Sequence, residues 1–280
     1  MPNVNIRVMY ENQADETSSL TADTTAGTLV AANLLTDVKT QVHRSTALTV
    51  QYDLQWAATV TLNMVALPFV NYTAEATMRV RGYTEVADVV AAVDTGAELC
   101  CAYQPLGIWA WGMLPLGVNA FRYGGGTYAR SFFAATPVKK ILIDISDPGN
   151  SAGYLEAARV VTGAYWEPET NPEYGAELSY KYGSQHVESE AGDLRTERRP
   201  KRRGMSFSLP WISTEADRLA MHEILLGNGL DHPIFISLFP EHSDPVLEQQ
   251  FQMWAKLTGD TSMSHPKYGM FATPLTLREI

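Results

Sequence analysis

The chain has 280 residues and a mass of 30.9 kDa, with 45% hydrophobic and 19% charged residues. That is enough apolar material for a folded core, and it allows either one large all-β domain or two ordinary domains. The formal net charge is -10 at pH 7, and an acidic surface repels phosphates, so we predict no nucleic-acid partner.

The sequence also lacks targeting and membrane signals. Its N-terminus has no basic segment followed by an apolar one, so we predict no secretory signal. No stretch approaches the roughly 18 uninterrupted apolar residues of a membrane span, so we predict no membrane insertion. Cys100 and Cys101 are adjacent. A disulfide between neighbours is strained, and we therefore expect two reduced thiols in or beside a strand, in a protein made in a cytoplasm.

The first half of the chain is predicted to form a series of short β-strands. Short runs rich in β-branched residues alternate apolar and polar side chains and are bounded by turn residues, which is typical of a sandwich or barrel. The predicted strands cover residues 47–53, 59–69, 76–82 and 140–146. Residues 86–93 fit a helical turn or a strand equally well, and the pattern leaves both open.

A domain boundary is predicted near Trp166. Residues 166–172 (WEPETNP) contain two prolines among polar residues, which stiffen an extended linker. Beyond this point the pattern of short alternating strands is replaced by polar segments and one helix signal. We therefore predict two domains, residues 1–165 and residues 166–280.

The second domain has one clear helix signal, over residues 215–226. Ser213 or Thr214 is expected to cap its N-terminus, acidic residues follow in the first turn, and Gly227 or Gly229 ends it. The remaining pattern predicts strands, with one or two polar hairpins over residues 177–199 and strands over residues 204–209, 233–239, 250–257 and 268–277. The second domain is thus predicted to be α+β with one main helix, in a chain that is mainly β.

Part of the first domain resembles galactose-binding-like (discoidin-type) jelly rolls. Such domains run from a loop with Asn-Leu and Asp into an Asp-Leu strand and then a strand of the form Ile-x-x-Ile-x-Leu. The corresponding segments here are residues 33–37 (NLLTD), 43–45 (HRS), 50–54 (VQYDL), 65–67 (VAL), Asn71 and 76–80 (ATMRV). The resemblance implies an N-terminal jelly-roll sandwich.

A second resemblance links the chain to bacteriophage tail proteins. Residues 141–163 (ILIDISDPGNSAGYLEAARVVTG) are similar to the closing hairpin of a jelly roll in that group. The following domain there begins near a Trp-x-Pro segment and continues through an Arg-rich strand, a helix and a strand rich in Leu and Thr. The matching segments here are residues 166–168, 198–203, 213–219 and 274–279.

The layout resembles a distal tail protein or a neighbouring baseplate component of the tail tip. That resemblance implies a structural virion protein that forms a ring or collar, as a hexamer or trimer, between the tail tube and the hub and fibre proteins. Subunits of such a ring meet through heterologous contacts that close by rotation. One departure is that the jelly roll comes first here, whereas distal tail proteins usually begin with the ring-forming domain.

Enzymatic and metal-binding motifs are missing from the sequence. His222-Glu223 is not followed by a second histidine one helical turn later, as a zinc-protease motif requires, and His232 and His242 do not have a recognised ligand spacing. No Gly-x-Ser-x-Gly motif occurs, and Gly124–Gly126 lack the Lys of a phosphate-binding loop. We therefore predict no enzyme, no metal and no cofactor.

Three carboxylates near the predicted closing hairpin invite a comparison with glycoside hydrolases, which use paired carboxylates. They are Asp144, Asp147 and Glu156. The alternative, which we favour, is that Asp147 starts a turn before Pro148 and that Glu156 forms an ion pair with Arg159.

The main candidate binding surface is an aromatic and basic region near residues 105–130. It comprises Trp109, Trp111, Phe121, Arg122, Tyr123, Tyr128 and Arg130. Aromatic faces stack on the C–H surfaces of sugars, and Arg supplies fixed donors, so a carbohydrate-binding module that contacts host glycans is the alternative function. The same residue types also anchor protein interfaces or fill a sandwich core, and we favour these interpretations.

One dense basic run stands out in the acidic chain. It consists of Arg198, Arg199, Lys201, Arg202 and Arg203 around Pro200. Such a run is either a solvated hairpin loop or an electrostatic contact to an acidic patch on a neighbouring subunit. We keep both interpretations, and nucleic-acid contact is a weaker third because the rest of the surface is negative.

Overall fold

A computed structural model describes residues 4–102, 127–190, 192–197, 199, 201–259 and 261–280. It divides into two compact units. Unit 1 contains Met1–Trp166 together with Phe235–Met253, and unit 2 contains Glu167–Ile234 and Trp254–Ile280. The segment Phe235–Met253 thus packs with unit 1, although it lies within the range predicted as the second domain.

Unit 1 is built from antiparallel strands. Its central ladder runs β2-β4-β8-β5, so that strands distant in sequence lie side by side, and β10, β9, β6 and β7 extend it. The strands before the boundary are β1 Arg7–Met9, β2 Ser19–Ala22, β3 His43–Arg44, β4 Thr49–Val70, β5 Thr77–Tyr83, β6 Val93–Asp94, β7 Glu98–Leu99, β8 Thr127–Ser146, β9 Glu156–Ala157 and β10 Val161–Gly163.

The two long strands β4 and β8 form the frame of unit 1. They pair from Thr49↔Ser146 at one end to Val70↔Thr127 at the other. The sequence predicts two strands over the range of β4, whereas the structure has one strand of 22 residues. The two patterns are continuous because an irregular, exposed stretch between Gln55 and Val60 joins them without ending the strand.

Irregularities in the pairing let β4 face the core along most of its length. Its core residues change from even to odd positions and back, in the order Val50, Tyr52, Leu54, Trp56, Leu62, Val65, Leu67, Val70. The changes fall at the register shifts between Leu62 and Met64 and between Leu67 and Val70. Between Leu67 and Val70, β4 has one more residue than β8, and one extra residue at a bulge moves the later side chains to the other face. Between Leu62 and Met64 the extra residues lie in β8 instead.

Ion pairs attach the start of the chain to this sandwich. The 3-10 helices Gln13–Glu16 and Ala31–Leu35 precede β3. The buried Arg159 donates to the Asp15 carboxylate at 2.7 and 2.8 Å and also lies 3.3 Å from Asp37. Two carboxylates therefore neutralise one buried guanidinium, which a buried charge requires.

The chain returns to unit 1 after the boundary. Strand β15 (Ile234–Ser237) pairs antiparallel with β1, and helix α2 (Pro245–Gln250) follows. Asp244 caps α2 by accepting from the backbone N–H groups of Val246 and Leu247 at 3.0 and 3.4 Å. The sequence pattern does not predict this helix, because its Asp-Pro start resembles a turn and it is only 6 residues long.

Unit 2 is a sheet with one main helix. The strand order in this unit is β16-β18-β14-β11, and β17 pairs with the outer part of β18. The strands are β11 Glu177–Tyr182, β12 Gln185–Glu188, β13 Leu194–Glu197, β14 Lys201–Ile212, β16 Gln252–Leu257, β17 Ser264–Lys267 and β18 Met270–Glu279. Within the described residues, β12 and β13 form a separate two-stranded ladder.

The main helix begins and ends near the predicted residues. Helix α1 spans Glu215–Glu223, and the Thr214 hydroxyl caps it by accepting from the Asp217 N–H at 3.2 Å. The helix widens into a π-helical turn at Ile224–Asn228 and ends at Gly229, which has a φ of 49°. Glycine reaches this left-handed region without the steric cost of a side chain.

The predicted fold class is confirmed. The protein is mainly β, with a jelly-roll sandwich first and an α+β unit with one main helix after it. Residues 86–93, for which the pattern left two options, form an exposed turn region that leads into β6. Among the described residues, no helix is long and apolar enough to cross a membrane.

A buried histidine makes the stability of unit 1 depend on pH. His43 Nδ1 lies 3.0 Å from the Tyr52 hydroxyl, and Nε2 lies 3.0 Å from the Thr24 carbonyl oxygen. Burial lowers the pKa of His43, although the Thr24 carbonyl and the charge of Asp23 act in the opposite direction. The unfolded chain, with a histidine pKa of about 6.5, then binds the proton more readily than the folded chain.

The free energy of unfolding is therefore expected to fall as the pH drops below about 6.5, and this contribution is fully present above that value. Urea unfolding at pH 7.5 and 5.5 measures the loss. In a His43→Gln variant, whose side chain does not titrate, the loss between the two pH values should be smaller. An equal loss in both proteins contradicts the assignment to His43.

Candidate functional site

The structure describes only two members of the predicted aromatic and basic region. Tyr128 and Arg130 lie in β8. The other five lie outside the described residues: Trp109, Trp111, Phe121, Arg122 and Tyr123. On either side of them, the Arg130 N–H donates to the Cys100 carbonyl at 3.0 Å.

Tyr128 belongs to the core of unit 1. It is only 1% exposed, and its ring meets Phe69 edge to face with a centroid distance of 5.3 Å. An aromatic pair of this geometry stabilises a core beyond the area it buries. Of the interpretations raised by the sequence, core filling is the one that describes Tyr128.

Arg130 is held by a carboxylate from α2. Its guanidinium donates two hydrogen bonds to Glu248, at 2.7 and 2.6 Å, and the Glu248 carboxylate is almost completely buried. Burial alone lowers the pKa of Arg130, but the hydrogen bonds and charge of Glu248 outweigh it and hold the pKa above its usual value. A bidentate pair fixes the orientation of both groups. Arg130 therefore positions α2 on the sandwich.

A small polar cavity of about 40 Å³ lies beside this ion pair. Arg130 and Glu248 line it together with Cys100, Cys101 and Gln252. The buried Gln252 Nε2 atom has no hydrogen-bond partner within the described part of the chain. The volume suits one or two water molecules and is far below the roughly 300 Å³ of a small-molecule pocket. This cavity does not accommodate a sugar ring.

The two cysteines are buried thiols beside strand β7, as expected from their adjacency. Their sulfur atoms lie 3.9 Å apart, and the Cys100 thiol donates to the Ala76 carbonyl at 3.3 Å. Hydrogen bonding to Cys100 and burial both raise the pKa of the Cys101 thiol. Because the thiolate is the reactive form, a raised pKa makes Cys101 a poor nucleophile and a poor metal ligand.

The three carboxylates considered for glycoside cleavage all have structural partners. Asp144 accepts from Arg81 at 3.0 and 2.7 Å. Asp147 is fully buried and accepts from the Thr73 N–H and hydroxyl at 2.8 and 2.5 Å and from the Asn150 amide at 3.1 Å. These bonds tie the turn after β8 to the loop before β5.

The expected pair between Glu156 and Arg159 is wrong. Glu156 accepts from Arg44 at 2.9 and 2.7 Å across the β3–β9 pairing, and Arg159 binds Asp15 instead. The reason is that β9 sets Glu156 opposite Arg44, a cross-strand neighbour that sequence proximity does not reveal.

The structure describes all six histidines. His43 is buried, whereas His186, His222, His232, His242 and His265 are exposed. No group of three or more His, Cys, Asp or Glu side chains suited to a metal ion occurs within the described ranges.

The basic run is divided between different surroundings. Arg198 lies outside the described residues, and Arg199 pairs with Glu197 at 3.0 Å. Lys201 and Arg202 are exposed at the start of β14, while Arg203 is buried and pairs with Glu279 at 2.6 Å. Arg199, Lys201 and Arg202 are thus the described members of the run that are exposed, and Arg203 is buried.

An exposed hairpin is the most unusual feature of unit 2. Residues 185–197, which we call the arm, contain β12 and β13, and every residue of both strands is exposed. Next to the turn, the Ser189 N–H donates to the Asp193 carbonyl at 2.9 Å. Val187 and Leu194 are 59% and 66% exposed. The sequence pattern predicts hairpins here but does not mark these two side chains as exposed, because the surrounding residues are polar.

No protein-family model matches the chain, and no curated protein matches it. Solved structures resemble it over about half its length. Chitosan-binding module 1 of a chitosanase/glucanase from Paenibacillus sp. IK-5 has a TM-score of 0.36 and 13% identity, over 55% of this chain and 99% of the module. The module CpGH89CBM32-5 from Clostridium perfringens, in complex with GalNAc-β-1,3-galactose, has a TM-score of 0.38 and 9% identity, over 55% and 100%.

A pectin-binding carbohydrate-binding module is also similar, with a TM-score of 0.35 and 8% identity, over 53% of this chain and 91% of the module. These three proteins are carbohydrate-binding modules, and none of the three is a phage tail protein. The resemblance to phage tail proteins therefore stays a prediction from the sequence.

Proposed function

We propose that this chain is a non-catalytic subunit that joins further copies of itself through the arm. The observation that carries the proposal is the exposure of both faces of the arm, including Val187 and Leu194. An isolated two-stranded hairpin is marginally stable in water, because neither face is buried. A partner that covers the arm supplies the missing burial.

The edges of the arm also favour a contact with protein. Within the described residues, β12 and β13 pair with each other and with no further strand. Strand edges with unpaired N–H and C=O groups are templates for pairing with another chain. At about 3.3 Å per residue, the arm reaches up to roughly 25 Å beyond the last pair of β11 and β14.

The hydrogen bonds and ion pairs of three carboxylates agree with a non-catalytic role. Asp144, Asp147 and Glu156 are each engaged in hydrogen bonds or ion pairs that hold loops and strands. A general acid or base needs a proton that it can exchange with a substrate. These three carboxylates are committed to the fold instead.

The more specific proposal is a component of a bacteriophage tail tip. It rests on the sequence resemblance at residues 141–163 and in the domain that follows. In this proposal the chain forms a ring or collar, as a hexamer or trimer, between the tail tube and the hub and fibre proteins. The protein is then made in the cytoplasm of the host bacterium and becomes part of the virion.

Removal of the arm tests the proposal. Residues 183–200 are replaced by Asn-Gly, a pair that favours a two-residue turn between Tyr182 and Lys201, which face each other in the ladder. We expect the wild type to be a closed oligomer and this variant a monomer of unchanged fold, by light scattering and circular dichroism.

The matched control is Val89→Asp, which changes an exposed apolar side chain in unit 1 and should leave the oligomer intact. A wild type that stays monomeric at high concentration contradicts the proposal. So does an arm-deleted variant with the same number of subunits as the wild type.

A second candidate function is glycan recognition by the jelly roll. What supports it is the composition of residues 103–126, where Trp109, Trp111 and Tyr123 accompany Arg122. Aromatic rings and a guanidinium are the groups that stack on sugar rings and bond their hydroxyls.

Glycan binding predicts that a Trp109→Ala, Trp111→Ala double variant loses affinity for its glycan by at least about tenfold, the size expected for a central aromatic contact. A glycan array identifies the ligand, and calorimetry measures the loss. Trp211→Ala serves as the control, because Trp211 is an exposed tryptophan of unit 2. Absence of glycan binding by the wild type, or equal binding by the double variant, rules this function out.

A further inference from the structure

Four cations form a stripe across one face of the unit 2 sheet. Lys256 lies opposite Arg278 in the β16–β18 ladder. Lys181 lies opposite Arg202 in the β11–β14 ladder. Gly204 is the β14 partner of Arg278 and lies two residues from Arg202, so both pairs point to the same side of the sheet. We call the four cations the basic stripe, in which partners are about 5 Å apart and the diagonal step from Arg278 to Arg202 is about 7–8 Å.

The basic stripe is exposed and has no anion of its own within the described part of the chain. Lys181, Arg202 and Arg278 are exposed, and Lys256 is half-buried. None of the four side chains takes part in an ion pair or a hydrogen bond among the described residues. Glu177 shares this face of β11 but lies four residues before Lys181. Like charges directly opposite each other destabilise a ladder, so the two like-charge pairs of the stripe are stabilised when an anion covers them.

The turn of the arm has the opposite charge. Glu188, Glu190 and Asp193, which we call the acidic tip, lie within six residues at its far end, and all three are exposed. Their carboxylates form no ion pair with any residue that the structure describes. The cation of the arm, Arg195, lies two residues beyond Asp193, and Glu197 is already in an ion pair outside the tip. Three carboxylates beside one guanidinium leave the tip negative.

We infer that the acidic tip of one copy docks on the basic stripe of a second copy of this chain. The inference rests on the proposed assembly through the arm and names the surface that receives it. Three carboxylates then lie against four cations, and anions separate the like charges of the stripe. Arg202 and Arg278 can each hold a carboxylate with two parallel hydrogen bonds, because a guanidinium presents its donors in a planar fork.

The length of the arm favours a second copy over a free polyanion as the occupant. The net charge of -10 repels a long anionic polymer over most of the surface around the stripe. Two copies of the chain repel each other in the same way. An arm that reaches up to roughly 25 Å holds the two bodies apart by about three Debye lengths at physiological ionic strength. Close contact is then confined to the tip and the stripe.

The tip and the stripe are different patches of one subunit. Lys181 and Arg202 lie where the arm begins, one pair before the end of the β11–β14 ladder, whereas the acidic tip is at the far end of the β12–β13 ladder. The tip forms no ion pair with the stripe of its own chain. Each copy therefore donates one tip and receives another. Such heterologous contacts generate a ring when the rotation closes.

Exchange of charge between the two surfaces tests the contact. The tip variant carries Glu188→Lys, Glu190→Lys and Asp193→Lys. The stripe variant carries Lys181→Glu, Arg202→Glu and Arg278→Glu. Each should weaken self-association by about tenfold to a hundredfold in the dissociation constant, as for three exposed ion pairs of about twofold to fivefold each. The combined variant with all six changes restores opposite charges and should recover most of the wild-type affinity.

Sedimentation equilibrium measures the dissociation constants, and circular dichroism checks the fold of each variant. A combined variant that associates no better than the tip or the stripe variant overturns docking of the tip on the stripe. Weakening in one of these two variants alone also overturns it, because the altered surface then has a different partner. If both associate like the wild type while removal of the arm gives a monomer, the docking surface is wrong and assembly through the arm stands. Assembly without the arm contradicts the proposed function itself.

Two single variants control for the change in net charge. Arg278→Glu and Lys267→Glu each reverse one exposed cation, and the two positions lie at opposite ends of β18, since Lys267 pairs with Met270. Arg278→Glu should weaken self-association by about twofold to fivefold, whereas Lys267→Glu should leave the dissociation constant unchanged. Equal weakening in both variants contradicts a specific contact at the stripe.

Discussion

The antiparallel ladder between β4 and β8 is the constraint on which unit 1 depends. It joins Thr49↔Ser146 to Val70↔Thr127, and the neighbouring strands β2, β5 and β10 pair with one or the other of these two. Two such long strands could not cover a compact core if they were regular, because alternate side chains would point away from it. In β4 the core positions change from even to odd and back at places where its pairing with β8 is irregular.

Buried charges attach the outer segments to that ladder. Arg159 with Asp15 secures the start of the chain, and Arg130 with Glu248 secures helix α2 from a distant part of the sequence. A buried arginine without its carboxylate is costly, so each pair specifies where its segment must lie. Arg130, a candidate binding residue from the sequence, thus helps to define the arrangement of the fold.

Sequence patterns predicted the alternating strands and helix α1 well, because both are local. Thr214 as the cap of α1 and Gly229 at its end are visible in the sequence itself. Pairings between distant residues were not predictable. Glu156 pairs with Arg44 because the strand register places them opposite each other. Strand β4 is continuous because it pairs with β8 along its length. Both features depend on residues far apart in the sequence, so a short segment does not reveal them. The residue types of the candidate site are visible in the sequence. The burial of Tyr128 and the exposure of the arm depend on tertiary packing, which the sequence pattern does not reveal.

The proposed assembly through the arm has a consequence for how a closed ring grows. In an open chain of subunits, each contact forms between separate molecules and depends on their concentration. The contact that closes a ring forms between two ends that are already tethered, so its effective concentration is far higher. Weak individual contacts can then give a stable closed ring while short open fragments dissociate. The large apolar side chains that the structure describes in the arm are Val187 and Leu194. So small an apolar surface suits such a system, because a larger one would stabilise incomplete rings.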